Sequence, residues 1–222
     1  MKAWTRARSA LREHRGARAV GLALALGLGG CAGLWPAPYG EMAPDAEPVR
    51  GDGLPNVMPS NAPSTLNGHW AGYDGHQGID ILAEVGTPVL APAAGTVIEA
   101  YFEPMYGNRV VLEHGLDEQG NTVRTFFLHL DRGLVEPGQR VQRGQPIAEL
   151  GRTGMLAIAI PHLHYEVRTR VPGRWTIFET RNPNLFWFDG PGYVTCFDRD
   201  RHFADQPFRT TYPVPCRGVA WR

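Results

Sequence analysis

His162-Leu-His-Tyr-Glu-Val-Arg168 decides the fold, because its residues alternate between two chemical classes. Histidine, glutamate and arginine take every second position, and leucine, tyrosine and valine take the positions between them. Successive side chains of a β-strand point to opposite faces of the sheet. We therefore expect the apolar face in the core. His162 and His164 then point together into whatever the polar face lines.

Short strand-like segments continue on the N-terminal side of this stretch, separated by glycines and by turn signals such as Glu136-Pro-Gly-Gln139. No segment between about His69 and Arg170 has a helical period over three turns. Short strands between turn signals indicate antiparallel structure, so we predict a mainly β chain. The other predicted strands are Thr87–Leu90, Gly95–Tyr101, Arg109–His114, Thr122–Leu130 and Pro146–Leu150.

A second candidate motif is His76-Gln-Gly-Ile-Asp80, which places an imidazole and a carboxylate four residues apart. Gly78 lets the backbone bend so that both side chains converge. Zn²⁺ binds imidazole nitrogen and carboxylate oxygen, and a catalytic site uses three protein ligands and keeps one position for water. Two histidines and one aspartate fit that count. Each motif alone is weak, because a His-x-His on a strand is more often structural.

With these motifs in this order, the sequence resembles the lysostaphin-type (LytM-like) zinc endopeptidases, which cut the peptide cross-links of bacterial peptidoglycan. The resemblance covers about Asp74 to Val167 without a large insertion or gap. The matching segments are His76-Gln-Gly-Ile-Asp80, Gly86-Thr-Pro-Val-Leu-Ala91, Gly95-Thr-Val97, Tyr106-Gly-Asn108, Phe127-Leu-His-Leu130, Gly138-Gln-Arg-Val141, Arg143-Gly-Gln145, Gly151-Arg-Thr-Gly154 and His162-Leu-His-Tyr-Glu-Val167.

The resemblance implies a role for each of five residues. His76, Asp80 and His164 are expected to bind one zinc ion. His129 and His162 are expected to orient or deprotonate the attacking water and to stabilise the oxyanion. An ordinary histidine pKa near 6.5 suits proton transfer at neutral pH, and a cationic imidazole stabilises an oxyanion. The division of these two jobs between His129 and His162 stays open.

The resemblance also implies an antiparallel β-sheet groove with zinc at its floor, in which an extended peptide makes backbone hydrogen bonds. Tyr106 and Asn108 are expected to belong to this groove. The sequence departs from the family between Gly154 and His162, where Met155-Leu-Ala-Ile-Ala-Ile-Pro161 replaces small and polar residues. We expect this apolar loop to affect substrate choice or partner binding. The histidines without a partner pattern are expected at the surface, and they are His14, His69, His114 and His202.

The first 30 residues have the pattern of an export signal. Six basic residues and one acidic residue precede an apolar stretch, Val20 to Gly30, which is far shorter than the roughly 20 residues of a spanning helix. Leu28-Gly-Gly-Cys31 resembles a bacterial lipobox, in which Cys31 becomes the lipidated N-terminus. The remaining chain has 16 basic and 21 acidic residues, and this acidic balance argues against nucleic acid as a partner.

The predicted location is the periplasmic side of the bacterial outer membrane, with the lipid as anchor. Ala32, rather than aspartate, after the cysteine favours the outer membrane by resemblance to lipoprotein sorting. Export to an oxidising compartment favours a disulfide between Cys196 and Cys216, with two free thiols as the alternative. The predicted divisions are a signal peptide at 1–30, a Pro-rich linker at 31–68, a zinc peptidase domain at 69–170 and an irregular C-terminal extension at 171–222.

Three functions remain to be compared. The first is a lipid-anchored zinc endopeptidase that hydrolyses peptide cross-links between peptidoglycan stem peptides. The alternative is a non-catalytic protein on the same fold, which binds cell wall or activates another murein hydrolase. A structural zinc protein is disfavoured, because a closed structural site uses a fourth protein ligand. Whether a regulatory protein partner exists is left open.

Overall fold

The computed structural model describes residues 57–67, 76–171, 173 and 177–222. The predicted signal peptide, Cys31 and most of the predicted linker lie outside these residues. Among the described residues there is no helix that is long and apolar enough to cross a membrane.

The described part of the chain is nearly all β, which confirms the predicted fold class. Its two helices are short 3-10 turns, Met155–Ala157 and Pro183–Leu185. The strands are β1 (Thr65–Asn67), β2 (Ile79–Leu82), β3 (Pro88–Leu90), β4 (Gly95–Glu103), β5 (Gly107–Leu116), β6 (Thr122–Leu130), β7 (Arg132–Gly133), β8 (Arg140–Val141), β9 (Pro146–Glu149), β10 (His162–Arg170) and β11 (Glu179–Arg181).

Strand β10 organises the larger of two antiparallel sheets. The order in that sheet is β1-β2-β10-β6-β5-β4-β8, and β11 also pairs with β10. The smaller sheet has the order β3-β9-β7. Leu163, Tyr165 and Val167 of β10 are fully buried in the main hydrophobic core. The alternation in the sequence therefore correctly predicts which side chains of this strand face the core.

The N-terminal edge of the larger sheet corrects the predicted linker boundary. Thr65–Asn67 forms β1 and pairs with Ile79–Ile81 of β2, and Ala62 is buried in the main core. A three-residue strand is too short to show a period of its own, and its Pro-rich surroundings have the composition of a linker. The linker prediction is therefore wrong for residues 62–67, because Ala62 packs in the core and Thr65–Asn67 forms an edge strand.

The C-terminal extension shares the main core. It has only β11 and the second 3-10 turn as regular elements, yet Trp187, Phe208 and Tyr212 are almost completely buried and belong to the same cluster as β10. The Tyr165 hydroxyl lies 2.8 Å from Thr210 Oγ1, which joins β10 directly to the extension. The extension therefore completes the core beneath the larger sheet.

A disulfide and a buried arginine hold the extension in place. A disulfide joins Cys196 to Cys216, as the cysteine count predicted. Arg143, whose side chain is almost completely buried, donates hydrogen bonds to the carbonyl oxygens of Pro92, Ala204 and Arg209. A buried guanidinium is costly unless its donors are used, so this arginine ties the β-sheet region to the C-terminal chain.

His114 was expected at the surface, and that expectation is wrong. Its ring is buried, with Nδ1 2.8 Å from the Ala94 carbonyl oxygen and Nε2 2.8 Å from Thr125 Oγ1. Burial lowers the pKa of His114 to about 4. The residue was misassigned because its neighbours come from β4 and β6 rather than from adjacent sequence.

Replacing Trp187 by alanine tests whether the extension belongs to the core. We expect Trp187→Ala to lower the free energy of unfolding by about 3–5 kcal/mol, because a fully buried indole leaves a large cavity. Tyr193→Ala, which removes an exposed aromatic side chain of the same segment, should change it by less than about 1 kcal/mol. Urea unfolding measures both values, and equal effects would contradict a shared core.

The buried His114 predicts a pH dependence of stability. Its pKa is about 4 in the folded protein against an ordinary 6.5, so the unfolded chain binds a proton first as the pH falls. The stabilisation is therefore fully present above pH 6.5 and is lost as the pH falls towards 4. We expect His114→Gln to flatten the curve of unfolding free energy against pH in this window. An unchanged slope would show that His114 is not the group responsible.

Candidate functional site

The antiparallel register of β2 and β10 assembles the candidate metal ligands. Asp80 lies directly opposite His164 in this pairing. His164 Nδ1 is 2.7 Å from Asp80 Oδ1, and His76 Nε2 is 2.9 Å from Asp80 Oδ2. The three side chains each offer one ligand atom, and these atoms lie within 4.8 Å of one another. The structure thus brings His76, Asp80 and His164 together although 84 positions separate the last two.

Two observations show that this donor set fits a cation. His76 Nε2 is buried, and although it lies 2.9 Å from Asp80 Oδ2 it makes no well-aligned hydrogen bond among the described residues. A buried nitrogen without such a bond is costly unless something binds it. At Gly78, a Cβ atom would lie 2.7 Å from the Tyr165 carbonyl oxygen and 2.8 Å from His164 Nε2. Only glycine therefore lets this loop pass close enough to bring His76 to the other two residues. Two imidazoles and one carboxylate form a donor set that zinc accepts.

His129 and His162 lie beside this group and close to each other. Their ring centroids are 4.7 Å apart, and both side chains are buried. Nδ1 of His129 is 2.9 Å from the Thr153 carbonyl oxygen, and Nδ1 of His162 is 2.9 Å from the Ile160 carbonyl oxygen. A carbonyl oxygen only accepts, so each Nδ1 carries a proton and donates it. In the neutral form of either ring, Nε2 therefore has its lone pair available.

The electrostatic environments of these side chains differ. Burial is the main cause that lowers the pKa of His129 to about 4, with a further contribution from the neighbouring His162, so His129 is neutral near pH 7. Burial opposes the charged form of His164, yet its hydrogen bonds to Asp80 and Glu166 raise its pKa to about 9. Burial also opposes ionisation of Asp80, but the imidazoles of His164 and His76 hold its pKa far below the usual range. The ionised Asp80 carboxylate is therefore stabilised by positive charge beside it.

A tightly packed backbone holds His129 in an unusual conformation. Its φ angle is 62°, in the left-handed region that few non-glycine residues occupy. The His129 amide donates to the Tyr106 carbonyl oxygen. Thr153 accepts a hydrogen bond from His129 Nδ1 at its carbonyl oxygen and donates its hydroxyl to the Leu130 carbonyl oxygen at 2.6 Å. The loop at Thr153 therefore fixes both the backbone and the ring of His129.

Of the two predicted groove residues, one lines the cavity. Tyr106 is part of its wall and lies near His129, with ring centroids 6.4 Å apart. Asn108 is not among the lining residues. Its side-chain amide donates to the Leu130 and Asp131 carbonyl oxygens, and its backbone amide donates to Thr153 Oγ1. The structure thus makes Asn108 a brace for the chain that follows His129, and its place in the substrate groove stays a prediction.

The predicted metal and catalytic residues share one cavity of about 310 Å³. Its apolar wall comes from Tyr106 and from Leu156. Leu156 lies in the loop of residues 155–161, whose sequence differs from the family pattern. Met155 and Ile158 of that loop are highly exposed, and Ile158 and Ala159 both have positive φ angles. The lining residues are His76, Gln77, Asp80, Tyr106, His129, Leu156, His162, His164, Glu166 and Arg168.

Sequence reasoning assigned no role to Thr153, Leu156 or Glu166. Glu166 carried a signal, because it shares the polar face of β10 with the two histidines. Leu156 belonged to the loop that departs from the family pattern, but its contact with the cavity required the fold. Thr153 stood in the matching segment Gly151-Arg-Thr-Gly154, but its role required the fold, since its partners lie on β5 and β6.

Comparisons with known proteins agree with this geometry. The chain is 43% identical over 95 residues to the peptidoglycan DD-endopeptidase ShyA of Vibrio cholerae, a match that covers 43% of this chain and 20% of that protein. It is 38% identical over 109 residues to the lipoprotein NlpD/LppB homolog of Pseudomonas aeruginosa, covering 48% of this chain and 34% of that protein. The chain thus spans about a fifth to a third of the length of these relatives.

Among solved structures, the catalytic domain of the antimicrobial peptidase lysostaphin from Staphylococcus simulans is 29% identical, with a TM-score of 0.41. That match covers 53% of this chain and 84% of the lysostaphin domain. Residues 74–175 match the family model described as Peptidase family M23. The family match confirms the resemblance inferred from the motifs, and residues 74–175 carry a Peptidase family M23 domain.

Proposed function

We propose that this chain is a zinc-dependent endopeptidase that hydrolyses peptide cross-links of peptidoglycan. One observation carries the proposal: His76, Asp80 and His164 converge beside His129 and His162 in a single cavity. Peptidase activity and a cell-wall substrate are supported by the M23 domain and by a DD-endopeptidase relative. Because the chain spans only part of that relative, the bond that is cut is part of the proposal.

His76 Nε2, one oxygen of Asp80 and His164 Nδ1 would hold the zinc ion. When bound, zinc acidifies a water molecule and polarises the scissile carbonyl. A single carboxylate ligand leaves the centre positively charged, which favours both effects.

His129 and His162 would supply the proton transfers. In its neutral form each ring has a lone pair on Nε2, because its one ring proton lies on Nδ1 and is hydrogen-bonded to a backbone carbonyl oxygen. The neutral His129 is suited to accept the proton of the attacking water, and an imidazole that has accepted it can stabilise the oxyanion or protonate the leaving amine. Both rings have the same tautomer, so geometry alone leaves the order of their roles open.

The substrate would lie as an extended peptide along the groove. Tyr106 and Leu156 present an apolar wall on one side of the cavity, and Gln77 contributes a polar group. Stem peptides of peptidoglycan combine small apolar side chains with amides and carboxylates, and they match this mixture. The acidic balance of the chain after residue 30 argues against nucleic acid as a partner.

We further propose that the enzyme works in the cell envelope, held by a lipid on Cys31 at the periplasmic side of the outer membrane. The lipobox-like Leu28-Gly-Gly-Cys31 supports this proposal. Two relatives are named lipoproteins, the NlpD/LppB homolog and YgeR of Escherichia coli. Radiolabelled palmitate incorporation that is lost in Cys31→Ala tests the anchor. A Cys31→Ala protein that still incorporates the label would contradict lipidation at this residue.

Metal analysis of His164→Ala tests the ligand set. We expect about one zinc per chain in the wild type and little zinc in the variant, because only two ligands remain. Release of soluble muropeptides from isolated sacculi should fall to background in the same variant. His202→Ala, which removes an exposed histidine, is the matched control and should retain both zinc and activity.

The outcomes of that experiment separate the competing functions. A wild-type protein that is folded and binds sacculi, but releases nothing with added zinc, would favour the non-catalytic binding protein or activator. Full activity in His164→Ala would exclude the proposed metal ligand.

Substitution of the non-ligand pair tests the proton-transfer roles. We expect His129→Gln and His162→Gln to keep one zinc per chain but to slow muropeptide release by about 10²–10⁴-fold, because general acid–base catalysis contributes that much. Metal analysis and release rates are measured on the same preparations. Unchanged rates in both variants would assign proton transfer to other groups.

A further inference from the structure

We propose that Glu166 is a positioning residue of the metal centre, which orients His164, and that Arg168 in turn holds Glu166. This inference rests on the proposed function, because it concerns the ligand set described above. It adds two residues of β10 to that site and assigns them to the orientation of a ligand rather than to contact with the substrate.

The two nitrogens of His164 are divided between two carboxylates. Nδ1 lies 2.7 Å from Asp80 Oδ1, and Nε2 lies 3.1 Å from Glu166 Oε1. A carboxylate accepts hydrogen bonds, so the contact with Glu166 keeps the proton on Nε2. When a metal displaces the other imidazole proton, the lone pair that it would use is on Nδ1, the nitrogen that faces Asp80. Metal-binding histidines commonly donate their second N–H to a carboxylate, which fixes the tautomer and the ring plane.

The burial and the contacts of Glu166 restrict the orientation of the His164 ring. It follows His164 by two residues on the same face of β10, and its side chain is only 3% exposed. It stands directly opposite Phe126 of β6 in the sheet register. A buried carboxylate is costly unless it is paired and hydrogen-bonded. Glu166 uses one oxygen for His164 and the other for Arg168, so both oxygens have a partner.

Arg168 anchors the far end of this arrangement. Its Nε donates to Glu166 Oε2, and its guanidinium carbon lies 4.2 Å from the centroid of the Phe126 ring. Phe126 packs in a second small core with Val111 and Leu128. The guanidinium is therefore held by a cation–π contact with a buried ring, and it holds the carboxylate in place. A continuous series of contacts therefore joins this second core to Nε2 of the His164 ring, and fixing that edge of the ring orients Nδ1 on the other edge.

Glu166→Gln tests the proposal, because it removes the charge and keeps the shape. We expect zinc affinity to fall about 10- to 100-fold, the usual effect of losing such a partner, as measured by competition with a chromophoric zinc chelator. The far-ultraviolet circular dichroism spectrum of the metal-free protein should stay as in the wild type. Glu113→Gln is the matched control, since Glu113 also pairs with a strand arginine, Arg124, but does not line the cavity.

A second variant and a spectroscopic measurement keep the test decisive if Glu166→Gln fails to fold. Arg168→Gln keeps the Glu166 side chain but removes the guanidinium that holds it. We expect zinc affinity to fall in this variant too, but by less than in Glu166→Gln. In the zinc-loaded wild type, proton–nitrogen correlation spectra of ¹⁵N-histidine-labelled protein should show His164 protonated at Nε2. Protonation at Nδ1 would overturn the proposal.

The results also distinguish this inference from the proposed function. A wild type that binds no zinc contradicts the metal site itself. A wild type that binds zinc and releases muropeptides, with Glu166→Gln binding zinc equally tightly, overturns only the positioning role.

Discussion

The antiparallel pairing of β10 with β2 is the constraint on which the site depends, because it sets Asp80 opposite His164. Side chains on a strand alternate between faces, so a shift of one residue would turn both histidines of β10 into the core and expose Leu163 and Tyr165. Burial of those apolar residues therefore holds the register, and the register holds the ligands. Core packing and metal-site geometry are two consequences of one strand pairing.

Charge compensation is the second condition for this site. Asp80 and Glu166 are both largely removed from water, and each would be unstable there alone. His164 lies between them, and Arg168 closes the series on the far side. The imidazole proton next to Asp80 occupies the position at which a cation would be most favoured. The residues that make the site attractive to a metal thus also explain how two acids are tolerated at the floor of the groove.

Close backbone packing, rather than long side chains, positions His129. A Cβ atom on Gly107 or Gly154 would lie within 2.5 Å of atoms in the opposing loop. This proximity allows Thr153 and Asn108 to hold the chain around His129 in its left-handed conformation. The buried aromatic residues of the C-terminal extension support the opposite side of the same sheet. The extension therefore supports the site mainly through the core, and Thr180 also donates a hydrogen bond to Gln77 in the cavity wall.

Much of this architecture was determined by the sequence alone, since alternation and ligand chemistry are local properties. The polar and apolar faces of β10, most strand positions, the disulfide and the group of five site residues could all be predicted. Only the tertiary structure decided that Thr65–Asn67 forms an edge strand, that His114 is buried and that Asn108 braces a loop. It also decided which nitrogen of His164 faces Asp80. These features depend on contacts between segments far apart in the chain, and no local pattern reports them.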